Sequence, residues 1–317
     1  MENKRKVIGT GETILDIVFR GEQPVAAVPG GSAYNSVISM SRAGLPVWFV
    51  GETGDDRVGR QIIKFLQDNG VHTEYMFARP GGRASVSLAY LDEKNDADYL
   101  FFKQQPRPFE QNGSPAIAAD DVVVFGSYYA INADTRDQVR ALLNKARDHN
   151  AILYYDVNFR SSHRHELDEL MPAIRENFRL SDVVRGSSED CRIMFGTDDI
   201  GRIYREQIAP FCPSFIYTDG NRPTTVCTPA GTYEIPVRPV ESVSTVGAGD
   251  NFNAGFIYGL FRERITKGTL GTLSEEQWNI LINYGQCFAT NVCASLNNSI
   301  DIELGKRLNE ELGLNKA

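Results

Sequence analysis

The sequence predicts an α/β protein in which a mainly parallel sheet is sandwiched between helices. Short apolar runs typical of buried strands alternate with longer runs typical of helices over most of the 317 residues. One alternating segment near residue 90 departs from this rhythm and predicts an antiparallel hairpin outside the parallel sheet. Late in the chain, a glycine-rich turn opens directly into an apolar helix, which is typical of an anion site.

The first 70 residues predict two strands and two helices. A strand over 7–11 could continue through 14–18, and a turn over 29–32 precedes a helix over 33–43. A second strand over 47–50 is followed by a helix that begins near Val58 and ends at Asn69.

Residues 83–102 predict a small separate sheet. Val86, Leu88 and Tyr90 alternate with small residues, and a strand over 97–102 follows a polar turn over 92–96. Such a hairpin, inserted between βα units, could form a lid. We assign the whole chain, 1–317, to one domain with lid segments at about 14–29 and 83–107, because no linker or repeat divides it.

The remaining chain returns to alternating strands and helices. It predicts strands over 122–125, 152–157, 183–184, 215–218, 224–227 and 232–235, and helices over 134–149, 166–177, 251–262, 274–294 and 302–312, with a short helix from 188. Because the carboxyl ends of parallel strands meet at one edge of a sheet, we expect the functional site there.

Composition limits the partners. The formal net charge is −8 without a block of like charges, so neither nucleic acid nor an anionic membrane is expected as the main partner. The N-terminus does not read as a signal peptide, and no apolar run approaches about 18 residues. The five cysteines show no metal or redox spacing, which favours reduced thiols and a cytoplasmic location.

The turn over 244–250 (S-T-V-G-A-G-D) is the most informative segment. Backbone amides at a glycine-rich helix start bind anions, yet Asp250 places a carboxylate at the same point. A base that removes a proton from a hydroxyl as it attacks a phosphoryl group would explain this carboxylate. The nucleotide P-loop would need a lysine here, and the dinucleotide fingerprint would need glycine in place of Phe252. The alternative is an ordinary helix start capped by Asp250.

Polar residues follow the predicted strands at the same sheet edge. Any one of them could be an ordinary loop residue, but together they suggest one half-site for hydroxyl groups and one for an anion and a metal. They are Asp16, Gly30, Gly31, Asn35, Asp156, Asn158, Arg160, Ser187, Glu189, Asp190, Thr218 and Gly220.

Two motifs resemble those of the ribokinase-like, or PfkB-type, carbohydrate kinases. The first is a Gly-Gly-x-x-x-Asn pattern over 30–35, followed by a Gly-x-x-Gly-x-Asp-x-x-Gly run over 51–59. The second is the turn over 245–250 with its helix, about 200 residues later. Gly11 and Glu12 together with Asp16 most resemble the fructokinase branch of the family.

The resemblance implies a ribokinase-like body with a small β-sheet lid, ATP as donor and Mg²⁺ as cofactor. It implies that Asp250 is the catalytic base and that Gly247, Ala248 and Gly249 form an N–H cradle for the transferred phosphoryl group. The resemblance also implies that Asp16, Gly31 and Asn35 bind the sugar and that Arg160 contacts the sugar or the phosphoryl group. It implies that Glu189 or Asp190 holds Mg²⁺ through water. The residues that it implies at the nucleotide are Thr218, Gly220, Thr245 and Ser187.

The chain departs from the family pattern on the nucleotide side. Ser244 replaces the aspartate that usually begins the turn, and Ser187 replaces an asparagine in the metal region. Pro223 stands where the nucleotide loop often has a second glycine, and 293–301 lacks the usual Gly-Ala turn. These departures concern nucleotide and metal binding more than the reaction class.

The leading hypothesis is an ATP-dependent fructokinase that forms fructose 6-phosphate. Ribose, a nucleoside or 2-keto-3-deoxygluconate are the alternative substrates, and an acid sugar would need an arginine such as Arg83, Arg107 or Arg160. A catalytically silent sugar sensor would not need Asp250. A nicotinamide-dependent oxidoreductase is disfavoured because the segment 9–14 lacks the last glycine of a dinucleotide loop.

The apolar residues of the predicted hairpin suggest a homodimer through the lid, the alternative being that they only cover the sugar pocket. They are Val86, Leu88, Tyr90, Tyr99, Phe101 and Phe102.

Overall fold

A large and a small sheet organise the molecule. The computed structural model describes residues 5–92, 97–102, 113–240 and 242–313. Its strands are, in chain order, β1 (Val7–Thr10), β2 (Ile14–Arg20), β3 (Gln23–Gly30), β4 (Val47–Gly54), β5 (Met76–Arg79), β6 (Ser85–Leu91), β7 (Ala97–Phe102), β8 (Val122–Gly126), β9 (Ile152–Asp156), β10 (Val183–Ser187), β11 (Ser214–Thr218), β12 (Thr224–Thr228) and β13 (Gly231–Ile235).

The large sheet has nine strands within the described residues. Their order is β13-β12-β11-β10-β9-β8-β1-β4-β5. The β11–β12 and β12–β13 pairs are antiparallel, and the other neighbouring pairs are parallel. The small sheet has the order β3-β2-β6-β7, in which β2 and β6 are parallel and the other pairs antiparallel. In the described part of the chain, no helix is long and apolar enough to cross a membrane.

Helices cover both faces of the large sheet. They are α1 (Ser32–Arg42), α2 (Arg57–Asp68), α3 (Ala133–Asp148), α4 (Leu167–Leu180), α5 (Ser188–Phe195), α6 (Ile200–Ile203), α7 (Ala248–Arg262), α8 (Lys267–Leu270), α9 (Glu275–Cys293) and α10 (Ile302–Leu312). Successive residues of β8 enter different cores: Val122 and Val124 pack with the α1, α7 and α9 layer, whereas Val123 and Phe125 pack with the α3 and α4 layer. This two-sided burial explains why the parallel strands read as continuous apolar runs.

The predicted fold class is confirmed, but several details of the prediction are wrong. Residues 14–18 do not extend β1 but begin β2, which crosses into the small sheet. The predicted turn over 29–32 is instead the end of β3 and the start of α1. Strand β5 was not predicted at all. Strand β3 escaped because Pro24 and Pro29 flank its apolar residues, yet proline is tolerated in an edge strand such as this one.

The strands of the small sheet lie within the two predicted lid segments. Residues 103–107 of the second segment, including Arg107, and residues 93–96 of the predicted polar turn lie outside the described residues.

The Gly-x-x-Gly-x-Asp-x-x-Gly run fastens the start of α2 to the base of the small sheet. Asp56 caps α2 by accepting a hydrogen bond from the Gly59 N–H at 2.7 Å, and its other oxygen accepts from the Ala84 N–H at 3.1 Å. A Cβ at Gly54 would lie 2.2 Å from the Ala84 nitrogen, so the chains approach too closely for a side chain there. This part of the motif is therefore structural and positions the segment that leads into β6.

Candidate active site

The glycine-rich turn is closed and leads into α7, which begins at Ala248 rather than at the predicted Asn251. Gly247 is the N-cap residue at φ 76°, a left-handed conformation that favours glycine. The Ala248 N–H donates to the Thr245 carbonyl at 3.2 Å, so this amide of the predicted cradle closes the turn itself. Within the described residues, the amides of Gly249 and Asp250 have no backbone acceptor, as expected at a helix start. These two amides are therefore available to an anion.

Ser244 also helps to form the turn. Its hydroxyl accepts a hydrogen bond from the Val246 N–H at 3.2 Å, and its own N–H donates to the Cys293 carbonyl at 3.3 Å. The serine at this departure from the family pattern is therefore buried and bonded within the turn.

Asp250 lies in the first turn of α7 and is partly buried. Its Oδ2 accepts a hydrogen bond from Asn35 Nδ2 at 2.8 Å, and the Ser36 hydroxyl donates to its backbone carbonyl at 2.7 Å. Burial raises the pKa of Asp250 to about 6, and the nearby charge of Asp156 acts in the same direction, whereas the bond from Asn35 and the charge of Arg160 lower it. A carboxylate with this pKa is ionised at pH 7 and is a stronger base than an exposed aspartate.

A cavity of about 550 Å³ opens on Asp250 from the side of the small sheet. The residues predicted to bind a sugar line it together: Asp16, Gly31, Asn35 and Arg160, with Gly247 and Asp250 at its floor. Gly31 has φ 128°, and a Cβ there would lie 2.3 Å from the Glu12 carbonyl oxygen. Gly31 is therefore required by the close approach of the β1–β2 connection, whereas a Cβ at Gly30 would lie 2.7 Å from Asp16 Oδ2.

Asp16 is held from two directions. It is 8% exposed and accepts hydrogen bonds from the Ser87 hydroxyl of β6 and from Asn298 Nδ2 at 3.5 Å. Asn298 comes from the segment after α9, and its carbonyl accepts from Asn251 Nδ2 at 2.9 Å, next to the turn. Asn298 thus connects the sugar half of the site with the start of α7. We found no sequence signal for Asn298, because only the fold brings it to the site.

Two stacked rings form another part of the cavity wall. The rings of Tyr128 and His163 lie 3.8 Å apart at their centroids and are nearly parallel. The Tyr128 hydroxyl donates to Glu166 Oε2 at 2.9 Å, which fixes the tyrosine. Phe101 of β7 lines the same cavity. No sequence motif pointed to a role for Tyr128 or for His163.

A second cavity of about 360 Å³ lies on the other side of Asp250. Its walls contain Thr245, Gly247 and Gly249 from the turn, together with Arg160, Arg185, Ser187, Glu189 and Asp190. The residues that line both cavities are Asn158, Arg160, Glu189, Val246, Gly247 and Asp250. Asp250 therefore stands where a group bound in one cavity would meet a group bound in the other.

The two predicted metal-binding acids differ in their surroundings. Asp190 is buried, and its oxygens accept from the Phe159 N–H at 2.7 Å, the Ser187 N–H at 2.6 Å and the Ser187 hydroxyl at 2.7 Å. Burial raises its pKa, although Arg185 and the bonds from Ser187 oppose the shift. Glu189 is exposed and lines both cavities. Asp190 and Ser187 thus form the capping box of α5, and Glu189 is the acid that faces the open space.

Two predicted nucleotide residues do not line these cavities. Thr218 ends β11, and its hydroxyl accepts a hydrogen bond from Arg185 Nη2 at 2.6 Å. Gly220 follows in an exposed loop at φ 57°. Thr245 and Ser187, by contrast, face the second cavity.

Asp156 and Arg185 form a buried ion pair beneath the site. Asp156 Oδ1 accepts from Arg185 Nη1 at 3.0 Å, and its Oδ2 accepts from Asn253 Nδ2 of α7 at 2.8 Å. Asp156 was predicted as a polar residue at a strand end, whereas Arg185 and Asn253 were not predicted to belong to the site. An arginine in a buried strand and an asparagine in an apolar helix were the signals that could have found them.

Comparisons with known proteins give one consistent result. The family model described as pfkB family carbohydrate kinase matches residues 7–290. A fructokinase of Klebsiella pneumoniae is 26% identical over 258 residues, which are 80% of this chain and 84% of the relative.

Two crystal structures share the fold. Aminoimidazole riboside kinase from Salmonella enterica, complexed with aminoimidazole riboside and an ATP analogue, has a TM-score of 0.83, 21% identity and coverage of 97% of this chain and 100% of that chain. Fructokinase from Vibrio cholerae O395, in a form with fructose, ADP and calcium, has a TM-score of 0.82, 20% identity and coverage of 96% and 98%.

Proposed function

The chain belongs to the pfkB family of carbohydrate kinases and is a phosphotransferase that acts on a sugar hydroxyl; we propose that it transfers the γ-phosphoryl group of ATP to fructose and forms fructose 6-phosphate. The observation that carries the proposal is the position of Asp250 between two cavities, beside the amides that begin α7. The first cavity takes the sugar and the second takes the triphosphate end of the nucleotide.

Asp250 acts as the general base. Its ionised carboxylate accepts the proton of the attacking hydroxyl while the hydroxyl oxygen forms a bond to the γ-phosphorus. The bond from the γ-phosphorus to the bridging oxygen breaks at the same time, and ADP leaves with that oxygen. The hydrogen bond from Asn35 holds the carboxylate in one orientation during the transfer.

The turn binds the transferred group. The amides of Gly249 and Asp250 point out of the start of α7, where the helix dipole adds positive potential. Charge that develops on the phosphoryl oxygens is stabilised there by dipoles that need no rearrangement. Arg160 is exposed and lines both cavities, so it reaches either the sugar or the phosphoryl group.

Mg²⁺ fits the second cavity through Glu189. Magnesium is commonly held by one or two carboxylates together with substrate phosphates, and an exposed carboxylate on the cavity wall suits that mode. Among the described residues there is no group of three or more acids, histidines or cysteines that could hold a metal by themselves. When bound, Mg²⁺ would neutralise charge on the phosphates. Asp190 would act through the capping box rather than as a ligand, and Thr245, Ser187, Thr218 and Gly220 would lie along the nucleotide.

We propose fructose as the substrate because of Asp16 and Glu12. Asp16 offers a buried, ionisable acceptor to sugar hydroxyls, and the same pair of acids most resembles the fructokinase branch. The similarity to a fructokinase of Klebsiella pneumoniae supports this assignment.

A riboside that carries a flat ring is the second candidate. The stacked pair of Tyr128 and His163 gives the first cavity a wall that suits a planar group. The structural similarity to aminoimidazole riboside kinase supports the candidate.

A screen for ADP release tests the substrate. Purified protein with Mg-ATP is supplied with fructose, tagatose, ribose, 2-keto-3-deoxygluconate or nucleosides, and ADP is measured by a coupled assay. We expect one good substrate, fructose, and NMR of the product should show the phosphate on O6. Preference for a nucleoside supports the second candidate, and saturating sugars without ADP formation would support a sugar sensor instead.

We further propose a cytoplasmic enzyme that forms a homodimer through the small sheet. All five cysteines are free thiols, and four of them are buried, which suits a reducing compartment. Leu100 and Phe102 of β7 expose 52% and 57% of their surface, more apolar surface than a small sheet should leave in water.

A further inference from the structure

Arg185 is a buried cation in the interior of the large sheet. It is the third residue of β10, between β9 and β11, and it is 7% exposed. Its guanidinium donates on one side to Asp156 Oδ1 at 3.0 Å and on the other side to the Thr218 hydroxyl at 2.6 Å. Arg185 therefore ties together the ends of three neighbouring strands, and its planar group has little freedom to move.

The same guanidinium supports the glycine-rich turn from below. A Cβ at Gly249 would lie 3.0 Å from both Nη atoms and 3.3 Å from Cζ of Arg185. Gly249 does not have a positive φ, so the backbone does not require glycine at this position. The close approach of Arg185 explains the glycine. It also places the cation next to the backbone of Gly249 at the wall of the second cavity.

The charge balance of the second cavity gives this cation a role. Glu189, Asp190 and Asp250 line the cavity and Asp156 lies beneath it, and a triphosphate would add further negative charge. Among the described residues of the cavity wall, the cations are Arg160 and Arg185. Arg160 is exposed and screened by water, whereas a buried and fixed charge acts in a lower dielectric.

We infer that Arg185 is a positioning residue for phosphoryl transfer: it fixes the turn at Gly249 and supplies buried positive charge beside the start of α7, where the transferred group binds. The inference rests on the proposed kinase function. Arg185 does not contact the reacting atoms in this account but acts through Gly249 and through Asp156. Its effect is larger on the transition state than on bound ATP, because charge on the transferred group shifts during the reaction.

Two substitutions separate the charge from the packing. Arg185→Lys keeps the positive charge, and Arg185→Gln keeps hydrogen-bond donors of shorter reach without it. We expect Arg185→Gln to lower kcat about 100-fold with the KM for the sugar within about threefold, and Arg185→Lys to recover at least about tenfold of that loss. Equal losses in the two variants, or wild-type kcat in Arg185→Gln, would overturn the inference.

Arg136 provides the matched control. It is also a buried arginine with a carboxylate partner, Glu176 at 2.6 Å, but it belongs to the α3–α4 layer and lines neither cavity. Arg136→Gln should lower the Tm and leave kcat within about twofold. If both arginine variants lower kcat alike, the effect of Arg185 is general destabilisation and the inference is wrong.

A double-mutant cycle tests the contact with Gly249. In the wild-type background Gly249→Ala directs a methyl group at the guanidinium, and we expect a loss of kcat of about tenfold or more. In the Arg185→Gln background the methyl group has more room, so the further loss should be at least about fivefold smaller. The same loss in both backgrounds contradicts the proposed contact.

A binding measurement separates this inference from the proposed function. Affinities for ADP and for ADP with aluminium fluoride, a mimic of the transferred group, are measured calorimetrically with Mg²⁺ present. We expect Arg185→Gln to weaken the fluoride complex about tenfold more than it weakens ADP alone, and equal weakening would overturn the inference. If the wild type turns over no sugar, the proposed function fails while this measurement still decides on Arg185. If the wild type turns over fructose and Arg185→Gln matches it in every assay, only the inference fails.

Discussion

Asn35 Nδ2 lies 2.8 Å from Asp250 Oδ2, so the asparagine of the Gly-Gly-x-x-x-Asn pattern holds the aspartate that ends the glycine-rich turn. The two residues are 215 positions apart in sequence, and the contact between α1 and α7 brings them together. The neighbouring Ser36 hydroxyl bonds the Asp250 carbonyl at 2.7 Å, so α1 fixes both the backbone and the carboxylate of the proposed base. The pairing explains why the two motifs occur together: one carries the base and the other orients it.

Asp250→Asn should nearly abolish turnover. The amide has the same shape but cannot accept the proton, so kcat should fall about 100-fold or more. The Kd for Mg-ADP, measured by calorimetry, should change less than about threefold because the turn amides remain. Wild-type turnover in this variant would exclude Asp250 as the base.

The same variant should be more stable than the wild type at neutral pH. The pKa of Asp250 is about 6 in the folded state and close to 4 in the unfolded chain, so the folded state binds more protons between these values. The folded state therefore loses stability as the pH rises from about 4 to 6, and Asp250→Asn removes this loss. We expect a higher Tm for the variant at pH 7.5 and a smaller difference at pH 4.5. An unchanged difference would contradict the raised pKa.

The acid limb of the pH profile should report on Asn35. Because Asp250 must be ionised to act, kcat/KM should fall below a pH of about 6. The hydrogen bond from Asn35 lowers the pKa of Asp250, so Asn35→Ala should move the limb to higher pH. Ser36→Ala is the matched control. Among the described residues, the Ser36 hydroxyl bonds the backbone carbonyls of Asp250 and Ser32 and not the Asp250 carboxylate, so its loss should leave the limb in place. Equal movement in both variants would contradict the assignment.

The parts of the site that were predictable are those whose chemistry is local. Gly247 and Asp250 could be assigned because a turn, a helix start and a carboxylate occupy seven consecutive residues. The parallel sheet could be predicted because strands buried on both faces read as continuous apolar runs. By contrast, Arg185 and Asn298 touch the turn only through the order of strands and the path of the chain after α9, which no local pattern encodes.

The role of Asp190 shows a second limit. Glu189 and Asp190 are adjacent acids at a helix start, and the sequence could not say which one faces the cavity. The fold decides, because Asp190 lies at the third helical position, where its carboxylate reaches back to the Ser187 N–H. That geometry depends on the residue at which α5 begins, and helix ends are the least certain feature of a sequence-based prediction.

Glu189 and Asp190 should therefore respond differently to substitution. Glu189→Gln should raise the Mg²⁺ concentration for half-maximal activity about tenfold, because the carboxylate that faces the phosphates loses its charge. Asp190→Ala should leave that concentration nearly unchanged and lower the free energy of unfolding by about 1–3 kcal/mol through loss of the capping box. The two quantities are obtained from a magnesium titration and from urea denaturation. A large rise in the magnesium requirement of Asp190→Ala would make Asp190 the ligand.

Asp16→Asn should weaken sugar binding. The buried carboxylate accepts from Ser87 and Asn298 and retains capacity for a sugar hydroxyl, whereas an amide presents a donor in place of one acceptor. We expect the KM for the sugar to rise about 10- to 100-fold with little change in the KM for ATP. Ser87→Ala, which removes only the support of Asp16, should have a smaller effect. Equal increases in the KM for both substrates would place Asp16 outside the sugar site.

The exposed face of the small sheet should hold the proposed dimer together. Residues paired across β6 and β7 share a face. Two such pairs, Val86 with Phe102 and Leu88 with Leu100, lie on the side opposite Ser87. Ser87 bonds Asp16, so that side faces the sugar cavity and the apolar side faces away from it. Leu100→Glu and Phe102→Glu should therefore convert a particle of about 70 kDa into the 35.3 kDa monomer in light scattering. Ile302→Glu is the control, because Ile302 is 63% exposed but lies on α10. A wild type that is monomeric at every concentration, or dissociation by all three substitutions alike, would rule out the lid as the interface.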